Sequence, residues 1–160
     1  METLQIKKEN ALKAFNEGCN DVKNVLSNLF GKETFIPKNI TDRVKTFEDA
    51  CEVLGIRQPE FEILDTGGIA QDFKSIVAYT RLIIIVRALN EGWTPDWSNS
   101  SQYKYYPYFK TSSGSGLAYH GFDGWDSGTF VGSRLCFKSR ELAEYAGKQF
   151  QSIYNDFLNL

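Results

Sequence analysis

The sequence predicts an α+β fold: N-terminal helices, a small antiparallel sheet of about three strands, and a C-terminal helix packed on it. Three observations carry that reading. Residues 9–30 and 70–90 repeat apolar side chains at three- and four-residue steps, the period of a helix with one buried face. Six of the thirteen glycines fall between Gly114 and Gly132, where β-formers replace helix-formers. After Ser139 the helical period returns. The 160 residues suffice for one core, so the chain reads as a single domain, mainly helical over 1–91, sheet over 92–138 and helix over 139–160.

Taken in order, Leu12, Phe15, Cys19, Val22, Leu26, Leu29 and Phe30 form the apolar stripe of a first helix, with Gly31 as its stop. Gly18 weakens it. A connector with Pro37 follows. In "KTFEDACEVLGI", Thr46 stands as N-cap, Glu48 and Asp49 suit the positive end of the helix dipole, and Gly55 closes the helix. Residues 57–68 read as a linker. The longest helix runs from about Ala70 to Asn90 with Gly92 past its end; Phe73, Ile76, Val77, Thr80, Ile83, Ile84 and Leu89 make its expected buried side.

"YKYYPYFK" alternates as a strand that Pro107 demotes to an edge or a bulge. "SSGSG" is a turn, and "LAYHGF" and "TFVGSRLCFK" supply two further strands joined through "DGWDSG". Ser139 caps the last helix, with Leu142, Ala146, Phe150, Ile153 and Phe157 along one face and Tyr145 and Tyr154 beside it.

Composition excludes more than it assigns. The net charge of −2 is spread evenly, with 12 basic and 14 acidic residues up to Glu91 and 6 of each from Gly92 on. A protein that holds a nucleic-acid backbone by charge needs a basic surplus, and none is visible. Cys19, Cys51 and Cys136 lie far apart without a Cys/His cluster, so no metal site is expected. Two of them fall on apolar helix faces, where a thiol behaves as a small hydrophobe. The N-terminus lacks the apolar stretch of a signal peptide, and "LIIIV" at Leu82–Val86 is too short to span a bilayer. A soluble cytoplasmic protein without membrane association is expected.

Motifs for catalysis are weak. "ILDTGG" at Ile63–Gly68 matches the aspartic-protease signature, with Asp65 as half of a carboxylate pair. That loop needs all-β surroundings, whereas a helix follows here, so the segment reads as a turn. "GSGLAY" at Gly114–Tyr119 lacks the strand–helix frame of a dinucleotide site, and "DGWDSG" lacks the spacing of a calcium loop. No cofactor is expected. The one histidine, His120, with Asp123 and Asp126 nearby, allows a hydrolase-like reading in which they do acid–base work in a Gly-rich cleft, with Cys136 as a conceivable nucleophile.

The aromatic residues are the stronger signal. Seven of the eighteen residues from Gly92 to Phe109 are aromatic, against 14% for the chain. On a strand, Tyr103, Tyr105 and Phe109 share one face, and Tyr106 and Tyr108 share the other with Lys104 and Lys110. Tyrosine and tryptophan offer a flat apolar body and a polar tip, which suits a partner protein or stacked bases; their bland role is to cover a thin sheet.

"NALKAFNEGCNDVKNVLSNLFG", "RVKTFEDACEVLG", "RALNEGWTPDWSNSSQYKYYPYF" and "VGSRLCFKSRELAEYAGKQF" together cover most of the chain and resemble segments of a phage- and prophage-associated protein family of gut anaerobic bacteria. The resemblance implies a mobile-element context inside a bacterial host and carries over no activity and no catalytic residue. The expected function is a non-enzymatic phage-type accessory or binding protein. Its partner surface would be Trp93, Trp97, Tyr103, Tyr105, Tyr106, Tyr108, Trp125 and Arg134, facing a protein partner, a second copy of the chain, or a nucleic acid. The alternatives are the hydrolase built on His120, Asp123 and Asp126, and a virion or assembly component.

Overall fold

The computed structural model describes residues 5–60, 70–112, 116–126 and 134–158, and places them in two compact units, Met1–Lys38 and Asn39–Leu160. The fold is α+β. Among the described residues there are seven helices and one two-stranded antiparallel sheet, with helices at both ends of the chain. None of these helices is long and apolar enough to cross a membrane.

The first unit holds α1 (Lys8–Glu17), α2 (Asn20–Phe30) and a single 3-10 turn at Lys32–Thr34. The expected single helix over 9–30 is therefore two. Gly18 leaves the helical well at φ −78°, ψ 154°. A Cβ there would lie 2.6 Å from the Ala14 carbonyl oxygen and 2.7 Å from Val22 Cγ1, so the break is packed too closely for any side chain. Breaking the helix also breaks the stripe. Phe15 stacks on buried Phe35 at 4.3 Å, but Cys19, Val22, Leu29 and Phe30 are exposed, because α2 restarts the helical phase.

The second unit begins with α3 (Ile40–Arg43), capped by Asn39, and α4 (Phe47–Leu54). α4 has the expected ends. Thr46 and Asp49 form a reciprocal capping box, and Gly55 closes the helix at φ 63°, a left-handed position that suits glycine. α5 (Ala70–Leu89) is the expected central helix, but its buried face is Ala78, Leu82, Ile85 and Leu89 rather than the one through Ile76 and Ile83. Toward its C-terminus Ile84, Val86 and Ala88 are buried too, so the helix is enclosed nearly all round. α5 packs against α4 on one side and α7 on another. Val44, Phe47, Ala50 and Cys51 join Leu82, Ile85 and Leu89 in one core with Phe137, Ala143, Ala146 and Phe150.

The C-terminal helix is likewise two pieces, α6 (Arg140–Gln149) and α7 (Gln151–Leu158), parted at Phe150 (φ −110°, ψ 25°). Ser139 caps α6 as expected, accepting from the Leu142 N–H. The break lets Phe150 and Tyr154 both enter the core beside Leu142 and Ala146.

β1 (Lys104–Ser112) and β2 (Gly116–Trp125) form the hairpin, paired from Lys104↔Trp125 to Ser112↔Gly116. Tyr108 pairs Gly121 and Phe109 pairs Tyr119, so His120 is the extra residue of a β-bulge. Pro107 sits on the outer edge as expected. Tyr105, two residues earlier and so with the same N–H direction, exchanges both of its backbone bonds outward with Phe137.

Two sheet expectations are corrected. "DGWDSG" is not a turn up to Trp125, because β2 runs through Asp123, Gly124 and Trp125. The third strand is reduced, among the described residues, to the single Tyr105↔Phe137 bridge. The next β1 residue facing that edge is Pro107, which has no N–H to extend a ladder; on the far edge the Asn90 side chain donates to the Cys136 carbonyl at 2.8 Å and accepts from the Lys138 N–H at 3.0 Å. The "SSGSG" turn at 113–115 and the "DTGG" segment with Asp65 lie outside the described residues.

Candidate partner-binding surface

The hairpin positions its rings by strand alternation and by where α6 covers it. Gly147 on α6 admits the hairpin closely; a Cβ there would lie 2.4 Å from Tyr119 Cδ2 and 2.8 Å from Pro107 Cβ. Near the start of α6 the cover ends. Tyr103 is 57% and Phe122 39% exposed, with half-buried Tyr105 between them. Tyr103 and Tyr105 stack at 6.2 Å, and Phe122 meets Tyr105 edge-on at 6.3 Å. Gly124, across from Tyr105, leaves room for that ring, since a Cβ there would lie 3.2 Å from its Cδ1. Arg140, at the head of α6, holds its guanidinium 5.7 Å from the Tyr105 ring and 5.6 Å from Phe122. The result is a strip of three rings bordered by one cation.

The other expected rings do different jobs. Tyr106 is buried and stacks on half-buried Trp125 at 5.4 Å. Burial pushes its phenol up to about 12, and the Asp123 carboxylate beside it adds to the shift. Trp97 lies under the ammonium of Lys104, 5.3 Å from its ring centre. Tyr108 is exposed beyond Tyr106 on the same strand face, edge-on to His120 at 6.0 Å and beneath Lys110. Trp93 and Arg134 belong to neither group; they line a cleft of about 240 Å³ at the end of α5 with Arg87, Asn90 and Cys136. The residues expected to serve one partner are thus divided among the strip, a buried stack, the Tyr108 patch, the Lys104–Trp97 contact and the cleft.

His120, Asp123 and Asp126 do not converge. His120 is exposed on the bulge, and among the described residues no hydrogen bond or ion pair joins it to either carboxylate. Asp123 accepts the Gly124 N–H at 2.8 Å. Cys136 lines the α5 cleft, and burial pushes its thiol up to about 11, far from a thiolate nucleophile near neutral pH. Among the described residues no three His, Cys, Asp or Glu side chains gather as a metal site would need.

The cysteines give a direct check on this burial. Cys19, expected on an apolar face, is exposed at the N-cap of α2, whose N–H groups at Val22 and Asp21 hold its thiol below the usual range. Cys51 and Cys136 are buried with raised values. Iodoacetamide at mildly alkaline pH is expected to modify Cys19 first and the other two only after denaturation. Peptide mass mapping that finds Cys136 modified in the folded protein would contradict its placement.

Sequence reasoning missed Phe122, Arg140 and Arg87. Alternation in "LAYHGF" puts Phe122 on the face of His120, whereas the bulge sends Phe122 to Tyr105 and His120 to Tyr108; Arg140 and Arg87 carry no motif that singles them out. No family model matches the chain, nor does any curated protein or solved structure.

Proposed function

We propose that the chain is a non-enzymatic binding module, of the accessory kind that phage and prophage settings employ, acting in the cytoplasm of a bacterial host. It engages a protein partner through the hairpin strip. The observation that carries this reading is the exposed run Tyr103–Tyr105–Phe122 with Arg140 against it. Tyrosine and arginine dominate the energetic centres of protein interfaces, because each buries apolar surface while keeping a polar tip. Rings left half in water beside a cation gain by being covered. A protein partner is favoured over a nucleic acid because the strip carries one cation and the chain from Gly92 on has no basic surplus, with 6 basic and 6 acidic residues.

A random peptide library selected on the immobilised protein tests this. Enriched peptides are expected to lose about tenfold or more in affinity against the Y103S/F122S double variant. They should keep it against Tyr108→Ser, which alters an exposed ring outside the strip. Equal binding to all three proteins would defeat the proposal. In a parallel titration at low salt, single-stranded DNA should leave tryptophan fluorescence unchanged; saturable quenching would redirect the strip to nucleic acid.

A further inference from the structure

The cleft at the end of α5 lies outside that reading and is built differently from the strip. Ile83, Val86, Arg87 and Asn90 follow each other at helical spacing and form one wall. Glu91 and Gly92 then take positive φ, 49° and 84°, and the chain reverses so that Trp93, Thr94 and Pro95 roof the cleft. Arg134 and Cys136 form the opposite wall, held in place by the two Asn90 hydrogen bonds. Three elements are thus pinned around an open space of about 240 Å³.

Its charge is one-sided. Among the described residues Arg87 and Arg134 line it, no Asp or Glu does, and neither arginine has an ion-pair partner. The nearest acid in sequence, Glu91, is paired with Lys138 at 3.0 Å. The negative end of the α5 dipole opposes an anion here. Two full cations outweigh that partial charge, and the carbonyls of Val86, Ala88 and Asn90 already accept from Asn90, Glu91 and Trp93 N–H groups. The apolar part of the lining is Trp93, Pro95, Ile83 and Val86, beside Thr94 and Cys136, and an inorganic ion would leave it uncovered. The Asn90 side chain is buried and spends one amide N–H and one lone pair of its oxygen on holding the far wall, so its role here is to fix the cleft.

We propose that this cleft binds a small organic acid: a carboxylate or phosphate head held by Arg87 and Arg134, on an aromatic or branched apolar body stacked against Trp93. The test uses the full chain labelled with 15N, reading the Trp93 indole N–H, assigned with Trp93→Phe. Phenylacetate, phenyl phosphate, 2-phenylethanol and inorganic phosphate are titrated separately. Phenylacetate or phenyl phosphate should shift the signal saturably with a dissociation constant on the order of 1 mM. The stronger of the two names the head group. Binding should weaken about tenfold in Arg87→Gln and in Arg134→Gln, both exposed positions whose variants should keep the wild-type melting temperature. Four results overturn the proposal: equal binding of 2-phenylethanol, meaning a merely apolar cleft; inorganic phosphate matching the organic anions, meaning an adventitious ion only; affinity unchanged in both arginine variants; or no saturable shift with either acid.

Discussion

Replacing Lys104 with methionine is expected to lower the stability of the second unit by about 2–4 kcal/mol, read from the midpoint of urea unfolding. Lys104 is completely buried, a rare place for an ammonium. Its Nζ donates to the Asn99 carbonyl at 2.9 Å and the Asp126 carbonyl at 2.5 Å, above the Trp97 ring. No carboxylate pairs with it among the described residues. Two effects compete in the variant. Methionine removes the desolvation cost of the charge, which by itself stabilises. It also leaves two backbone carbonyls without their donor, at about 1–3 kcal/mol each, and forfeits the cation–ring contact. The second effect is expected to win because the carbonyls cannot follow the change; they belong to the 97–99 turn and to the end of β2. An unchanged or raised midpoint would mean that water reaches this site.

Gly147→Val should cost about 3 kcal/mol and loosen the hairpin from α6. Helix propensity alone argues the other way for Gly147→Ala, since alanine is favoured over glycine by about 1 kcal/mol in a helix interior. Packing decides the sign. The new Cβ would lie 2.4 and 2.6 Å from Tyr119 Cδ2 and Cε2 and 2.8 Å from Pro107 Cβ, and neither neighbour is a flexible side-chain end. Overpacking of this kind costs about 1–3 kcal/mol, so even alanine should destabilise, with valine worse. Loss of near-UV circular dichroism before far-UV signal would locate the damage at this contact. A stabilised Gly147→Ala variant would show that the hairpin does not rest on α6 as described.

Features set by local chemistry were legible in the sequence. Thr46, Asp49 and Gly55 mark both ends of α4, Gly92 the end of α5 and Ser139 the start of α6. What was not legible depends on distant partners. The break at Phe150 turns both Phe150 and Tyr154 into the core, which a repeating apolar pattern cannot reveal, while the one at Gly18 is local, between Ala14 and Val22. The rotated face of α5 reflects a core fed from several sides, where an "LIIIV" run gives no polar residue to mark the outside. Among the described residues the expected third strand is one bridge, Tyr105↔Phe137, because the next β1 residue facing that edge is Pro107, which has no N–H to continue a ladder. Tyr106 and Tyr108 share a strand face by alternation, yet Trp125 covers only the first. Alternation places Lys104 on the face of Tyr106, Tyr108 and Lys110, and it is the most buried polar side chain described. Alternation could assign the faces, but not which stretch of each face the rest of the chain covers.

The proposed contact surface for a protein partner is Tyr103, Tyr105, Phe122 and Arg140. Chemical-shift mapping of the 15N-labelled chain, titrated with a peptide selected on it, tests this most directly. The largest perturbations are expected on 103–105, 122–124 and 140, with the backbone of α4 unaffected. Perturbations confined to other surfaces, with those hairpin residues unmoved, would contradict it.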